Sequence, residues 1–393
     1  MSDHHAAAPE ATPPAGLYAA LTRGALPRIL LLGFLVLLLT IPREMVRFVL
    51  VDRTGRQWEA ENLIAEQWGG RQTVGGPVIR VPYISYVTSR TNEGTVRQEQ
   101  RHMLEFLPEA LTADIGITVE ARGKGPYQIP VYGAELALRA SFLPPDLASL
   151  GIEDARLLWN EAVVAVAIAD PSALRGASIR TDGRPGEAEP GFAPNTTNTS
   201  GFHAALLADA ETGFGERREV FVSLAFNGMV DIGVLPLGSS TNVAIAGNWP
   251  HPNFVGSFLP VERQIDEAGF AASWTIASLA RAMPDVVRNG SIVAEAMLNH
   301  TDRIGVVLET PVDIYAQVDR VLKYGILVVG LTFAAIFVIG VLRDTRAHAV
   351  QYLLVGGSIT LFYLMLLALA EHTPFAVASA VAALLGLAAV SLS

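Results

Sequence analysis

Three apolar segments near the end of the chain limit what everything before them can become. Tyr324–Leu342 and Gln351–Ala370 contain no charged residue, and Phe375–Leu392 follows after the link Glu371-His372-Thr373-Pro374. An α-helix needs about 20 apolar residues to cross roughly 30 Å of hydrocarbon, and each segment approaches that length. Lipid offers backbone groups no hydrogen-bond partners, so a helix, which satisfies them internally, is the expected form of each. A fourth apolar stretch, Ala25–Pro42, lies near the start and holds the core Ile29–Ile41 between Arg28 and Arg43. That core is short for a span and resembles the apolar region of a signal peptide. No small-x-small cleavage pattern follows it, and the stretch before it is long and poor in basic residues. The reading is an uncleaved signal anchor, preceded at 1–24 by a disordered cytoplasmic tail rich in Ala, Pro and His.

Loop charge gives the expected orientation. The loop after Leu342 carries Arg343 and Arg346, whereas Glu371–Pro374 carries no Lys or Arg. By the positive-inside rule the first loop is cytoplasmic. Counting back, residues 43–323 form an external domain and the N-terminus is cytoplasmic. The expected spans are 25–42, 324–342, 351–370 and 375–392.

Charge also excludes partners. Of 28 basic and 38 acidic side chains, 24 and 34 fall within 43–323, so the domain is net acidic. A surface of that sign repels nucleic acid, and no such partner is expected. The absence of cysteine excludes disulfides, thiolate catalysis and cysteine-based metal sites.

Within 43–323, Arg43–Trp68 has apolar residues at helical spacing and reads as a helix continuing from the membrane. Val74-Gly75-Gly76-Pro77 is the expected stop. Alternating stretches rich in Val, Ile, Tyr and Phe follow at Val78–Val87, Arg101–Leu107, Ile115–Ala121, Ala134–Phe142, Ala162–Ile168, Val220–Phe226 and Asn242–Ala246. They predict an antiparallel, sandwich-like, mainly β domain of α+β type. Thr181–Ser200 reads as a loop, and Gly269–Arg281 and Asp285–Leu298 as added helices.

Strings that carry chemistry are scarce. No G-x-S-x-G, H-E-x-x-H, Walker-type or dinucleotide-binding pattern occurs. In Asn248-Trp249-Pro250-His251-Pro252-Asn253-Phe254 the two prolines stiffen the backbone around a histidine flanked by aromatics. Asn248, Trp249, His251 and Phe254 are therefore candidate ligand or interaction residues, set against a plain structural turn. Glu371 and His372, at the boundary of a span, are candidates for proton relay or cation binding, set against an interfacial stop. Histidines 102, 203, 251, 300, 348 and 372 show no metal-ligand spacing. No metal, cofactor or catalytic residue is expected. The spans offer only Thr332, Gly356, Gly357, Ser358, Thr360 and Tyr363 as polar or small elements, a weak basis for a solute path. Gly356-Gly357-Ser358 reads more simply as a close helix-packing face.

The motif from Asn248 to Pro260, together with Gly269-Phe270-x-Ala272-x-Trp274, Lys323-Tyr324, Gln351-Tyr352-Leu353-Leu354-Val355-Gly356, Phe362-Tyr363-Leu364 and Glu371-His372-Thr373, resembles the CreD family. These are bacterial inner-membrane proteins, also called cell envelope integrity proteins. Val74-Gly75-Gly76-Pro77 with Val81-Pro82 extends the resemblance towards the first anchor. It implies a periplasmic domain held by one N-terminal helix and a C-terminal helical cluster. It also implies a link to the envelope-stress regulon of a Cre-type two-component system, with effects on colicin tolerance and the β-lactam response. No catalytic residues come with it. There are departures: Gly340 replaces an acidic residue, Ala347-His348-Ala349 replaces Leu-His-Pro, and the chain stops at Ser393 where relatives continue through further helices. The expected function is thus a non-enzymatic sensor, scaffold or interaction module whose partners are the lipid bilayer and either other envelope proteins or peptidoglycan. The competing readings are an envelope enzyme working near His251 and a small-solute or proton carrier.

Overall fold

A computed structural model describes residues 25–91, 94–124, 127–145, 156–194, 199–208, 213, 215–280, 283–299, 303–310, 314–343, 348–370 and 372–391. The tail at 1–24 and Glu371 lie outside these. Among the described residues there are seven α-helices: α1 (Ala25–Leu38), α2 (Thr40–Trp68), α3 (Ile292–Asn299), α4 (Ile314–Lys323), α5 (Gly325–Leu342), α6 (Ala349–Ala370) and α7 (Phe375–Ser391). The chain divides into a helical unit, Met1–Gln57 with Val312–Ser393, and a sheet unit, Trp58–Pro311.

In the helical unit, α1 and α2 are separated only at Leu39. Pro42 accounts for the break, since it has no N–H to give the Leu38 carbonyl and its ring crowds that group. The stretch Ile29–Trp68, α5 and α6 are long and apolar enough to cross a membrane. The fourth expected span forms α7, whose 17 residues reach about 26 Å at 1.5 Å per residue. Leu30, Leu331 and Leu384 are 65%, 63% and 66% exposed, as side chains facing lipid would be. Inward, Leu35 and Leu39 pack with Val329, Phe333 and Tyr352. A second cluster joins Val46 and Leu50 of α2, Val318 and Leu322 of α4, Leu366 and Leu367 of α6, and Ala378 and Ala382 of α7. Arg43 donates from Nε to the Leu322 carbonyl at 3.1 Å, which satisfies a carbonyl left over at the end of α4.

The two adjacent glycines of α6 differ in what a side chain would meet. A Cβ at Gly356 would run into the Leu39 side chain, whereas one at Gly357 would find open space. Small residues that let helices approach closely are the usual glue of membrane bundles.

The sheet unit contains β1 (Gln72–Thr91), β2 (Gly94–Phe106), β3 (Ala110–Lys124), β4 (Tyr127–Phe142), β5 (Arg156–Leu157), β6 (Val163–Ile168), β7 (Leu174–Thr181), β8 (Arg184–Gly186) and β9 (Glu189–Pro190). It continues with β10 (Gly201–Ala205), β11 (Arg218–Met229), β12 (Asp231–Val234), β13 (Ser240–Gly247), β14 (Pro252–Gly256), β15 (Glu262–Asp266), β16 (Gly269–Ile276), β17 (Val286–Arg288) and β18 (Ile304–Leu308). One sheet runs β14-β18-β12-β1-β6-β10-β9, with β2 and β5 also on β1 and β17 on β2. The other runs β15-β16-β13-β3-β4-β11-β7-β8. Their apolar side chains, from Val74 and Leu104 in the first to Leu136 and Val222 in the second, share one core. In the second sheet burial alternates along β13, as a sheet with one solvated face requires. All six residues of β6 are buried, so the first sheet is covered on both faces there.

Every strand expected from alternation is present, and the mainly β architecture stands. Five expectations need correction. The sheets are mixed, because β1 pairs with β12 and β3 with β13 in parallel. The helix expected over Arg43–Trp68 does end at Trp68, but Val74–Pro77 is not what stops it. Gly69 takes a φ of 106° there and its N–H returns to the Ala65 carbonyl at 2.9 Å. A left-handed glycine just past the last turn is a stronger stop than the later Gly-Pro pair, which instead forms a bulge within β1. Gly269–Arg281, expected as a helix, is strand β16 through Ile276, since Phe270, Ala272, Trp274 and Ile276 are buried at a period of two. Only Ile292–Asn299 of the expected Asp285–Leu298 helix is helical, after the short strand β17. Within Thr181–Ser200, strands β8 and β9 add edges to the two sheets.

Replacing Gly356 with valine is expected to cost about 1–3 kcal/mol of overpacking, seen as a lower melting temperature of the purified full chain in detergent. Gly357→Val should leave the melt unchanged; equal effects would contradict the packing described here.

Candidate functional site

The motif around His251 works as a fastener. Asn248 accepts from the Val119 N–H at 2.6 Å and donates to the Val119 carbonyl at 3.2 Å, pairing like an extra strand residue. The Trp249 indole N–H donates to the Glu309 carbonyl at 2.9 Å, and the Glu309 N–H to the His251 carbonyl at 3.2 Å. Phe254 meets Phe270 and Trp274 edge-on at 6.1 and 5.8 Å, and Trp274 Nε1 donates to the Phe258 carbonyl at 3.1 Å. Gly256 closes the motif with a φ of 116°, and a Cβ there would collide with the Arg303 carbonyl. Pro252 opens strand β14, which pairs with β18. The His251 side chain itself is exposed. Asn248, Trp249 and Phe254 thus spend their side chains on holding strands together, while the exposed His251 does not. His372 is exposed at the end of α6, while its neighbour Glu371 lies outside the described residues. Among the described residues no cluster of three or more His, Asp or Glu has the arrangement of a metal site.

The structure brings together other groups that the sequence reading left unassigned. Strand β1 is the hub of the first sheet, and at Arg80 it pairs on one side with Glu105 of β2 and on the other with Val163 of β6. Val163 in turn faces Ala205 of β10. Residues paired across strands share a face, so these four form a row on one face of the sheet. Arg80 Nε lies 3.3 Å from Glu105 Oε2, and their side chains are 8% and 0% exposed. Glu105 also accepts from Ser291 Oγ at 2.7 Å and from the Ile292 and Val293 N–H groups at 3.0 and 3.4 Å. The carboxylate therefore caps the start of α3 from a neighbouring strand, where the helix dipole favours a negative charge. Burial pushes the Glu105 carboxyl above its usual range, while Ser291, Arg80 and the two amides pull it back. Burial lowers the Arg80 guanidinium, against the pull of Glu105. The guanidinium lies 5.1 Å from the ring centre of Phe192.

Above this pair opens a recess of about 880 Å³. Its floor consists of the buried Arg80, Pro82, Ala162, Val163 and His203. Its rim carries Arg101, Glu161, Glu189, Asn289 and Ser291. Arg101 pairs with Glu161 in the open, their side chains 56% and 41% exposed. The Gly191 carbonyl accepts from His203 Nδ1 at 2.7 Å, which turns Nε2 towards Glu189 Oε2, 3.7 Å away. A slightly larger trough of about 980 Å³ on the second sheet is lined by small side chains such as Gly116, Ala137, Ala225 and Ala271 and by the charged Asp114, Glu135, Glu262 and Arg263. The recess on the first sheet has the size and the convergent polar groups of a small-molecule site. Its signal in sequence is slight: single charges within the apolar runs Val78–Ile84 and Met103–Leu107.

The whole chain was compared with known proteins. Residues 25–392 match the family profile described as "Inner membrane protein CreD". Inner membrane protein CreD of Escherichia coli (strain K12) is 33% identical over 357 residues, which is 89% of this chain and 76% of that one. Two crystal structures of an M1 zinc metallopeptidase from Deinococcus radiodurans align with 9% and 8% identity and TM-scores of 0.24 and 0.22. They cover 52% and 44% of this chain and 42% and 38% of their own. Likeness at that level carries no argument about fold or chemistry.

Glu105→Leu leaves Arg80 buried without its carboxylate and is expected to cost about 3–5 kcal/mol. The double variant Arg80→Met/Glu105→Leu should cost less than Glu105→Leu alone, because no charge is stranded. Thermal unfolding of the full chain, followed by tryptophan fluorescence, measures both; a double variant worse than the single would contradict this account of the pair.

Proposed function

The chain belongs to the CreD family of inner membrane proteins, and on that footing we propose that its sheet unit lies in the periplasm. There it contributes to cell envelope integrity and the envelope-stress response as a sensor, scaffold or interaction module. The observation that carries this reading is the order of the chain. A sheet unit with its own core, Trp58–Pro311, is inserted between an apolar helix near the N-terminus and the apolar helices α5 to α7. A chain that returns to lipid after building a soluble core uses its helices as a tether. Loop charge favours the periplasmic side: Arg343 and Arg346 follow α5, whereas Glu371–Pro374 after α6 has no basic residue. The N-terminus is then cytoplasmic.

Binding without catalysis is favoured over an envelope enzyme. The rigid histidine motif spends Asn248, Trp249 and Phe254 on holding strands. The His251 side chain stands exposed. The partners are the bilayer and, through the sheet unit, other envelope proteins or peptidoglycan.

A reporter inserted between residues 195 and 215 tests the side of the membrane. Alkaline phosphatase should be active there and a cytosolic reporter silent; the reverse would overturn the orientation. In cells whose envelope-stress phenotype the chain corrects, His251→Ala should correct it as fully as the native chain. Loss of correction by a stably expressed His251→Ala would favour the enzyme reading.

A further inference from the structure

We infer that the recess over the Arg80–Glu105 pair is a binding site for a short peptide with free ends, its carboxylate towards Arg80 and Arg101 and its ammonium towards Glu189. This rests on the reading of the sheet unit as an interaction module and names what the module takes.

The layout of charge carries the assignment. The recess runs across the strand order β2-β1-β6-β10-β9, four steps of about 4.8 Å, or roughly 19 Å end to end. Both arginines stand at one end, on β2 and β1, and Glu189 stands at the other, on β9, beside His203 of β10. An extended peptide rises about 3.3 Å per residue, so about six residues would bridge the two ends. Between them the floor is apolar or small: Pro82, Ala162 and Val163 are buried and offer a peptide surface to lie on.

Each end also has donors or acceptors of the right sign. At the arginine end the guanidinium of Arg101 is held, among the described residues, by an exposed pair with Glu161. Such pairs contribute little, so a ligand carboxylate can take the arginine over at small cost. Arginine suits this role because its planar fork meets a carboxylate at two points. Ser291 and Asn289 border the same end, and Asn289 is fixed there in the left-handed region, φ 56°, with its N–H on the Met103 carbonyl at 2.9 Å. At the far end the Glu189 side chain is 68% exposed and its Oε2 lies 3.7 Å from His203 Nε2. The Glu189 carboxylate therefore presents acceptors to an ammonium group. A simple anion would be drawn to the arginines but repelled by Glu189, and a simple cation would meet the reverse. A ligand with both charges, separated by several residues, satisfies the two ends at once.

The test uses the full chain in lipid nanodiscs and equilibrium dialysis against an equimolar pool of penta- to heptapeptides of L- and D-residues, read by mass spectrometry. Saturable retention of pool members is expected, and N-acetylated and C-amidated pools should each be retained at least tenfold less. Glu189→Gln should reproduce the loss seen on acetylation and Arg101→Gln that seen on amidation, with melting temperatures unchanged because both side chains lie on the rim. Retention no greater than by empty nanodiscs, equal retention of capped and free pools, or retention indifferent to both variants would overturn the assignment. Failure here leaves the orientation untouched, since the reporter fusion reads only the side of the membrane; a cytoplasmic sheet unit would in turn leave peptide binding measurable.

Discussion

The buried ion pair between Arg80 and Glu105 is the interaction on which the sheet unit turns. Taking both charges out of water is costly, and their attraction repays it only when the remaining hydrogen-bonding capacity is also met. Glu105 meets it through Ser291 and two helix amides. One carboxylate thereby ties β2 to β1 and fixes where α3 begins. The arrangement is also what gives the recess a charged floor. An apolar pair would hold the strands equally well and leave a greasy dent; the ion pair leaves a guanidinium within reach of whatever enters.

A different constraint governs the helical unit. In lipid there is little hydrophobic force between helices, so close approach and local polar bonds decide the packing. Gly356 against Leu39 supplies the first, and the Arg43 bond to the Leu322 carbonyl supplies the second. Thr332 and Thr360 return their hydroxyls to carbonyls one turn back, at 2.8 and 3.1 Å. Polar side chains that bond to their own helix give a solute little to hold, in keeping with an anchor more than with a conduit.

Much of this was legible in the sequence, and the misses have physical causes. Long strands on a half-solvated sheet, such as β3, β4 and β13, announce themselves by alternation. A short buried strand such as β18 is uniformly apolar, and periodicity cannot separate it from helix. In β16, alanine and serine between Phe270 and Ile276 suggested a helix, although the large side chains already fell at every second position. The family motif around His251 stood out by its prolines and aromatics, yet these stabilise a strand junction. The recess stayed hidden because its members lie far apart in sequence, from Arg80 to Ser291. Only the register of β1 against β2 and β6 puts them in one row.

The central claim is that a binding unit built around this recess stands outside the cell membrane, tethered by apolar helices. The native chain has no cysteine, so a single one reports cleanly. Glu262 on the exposed strand β15 and Arg346 in the loop after α5 offer the two positions to compare. With a membrane-impermeant maleimide added to intact spheroplasts, Glu262→Cys should be labelled at once and Arg346→Cys only after the membrane is permeabilised. The opposite pattern, with Arg346→Cys labelled first, would contradict the account.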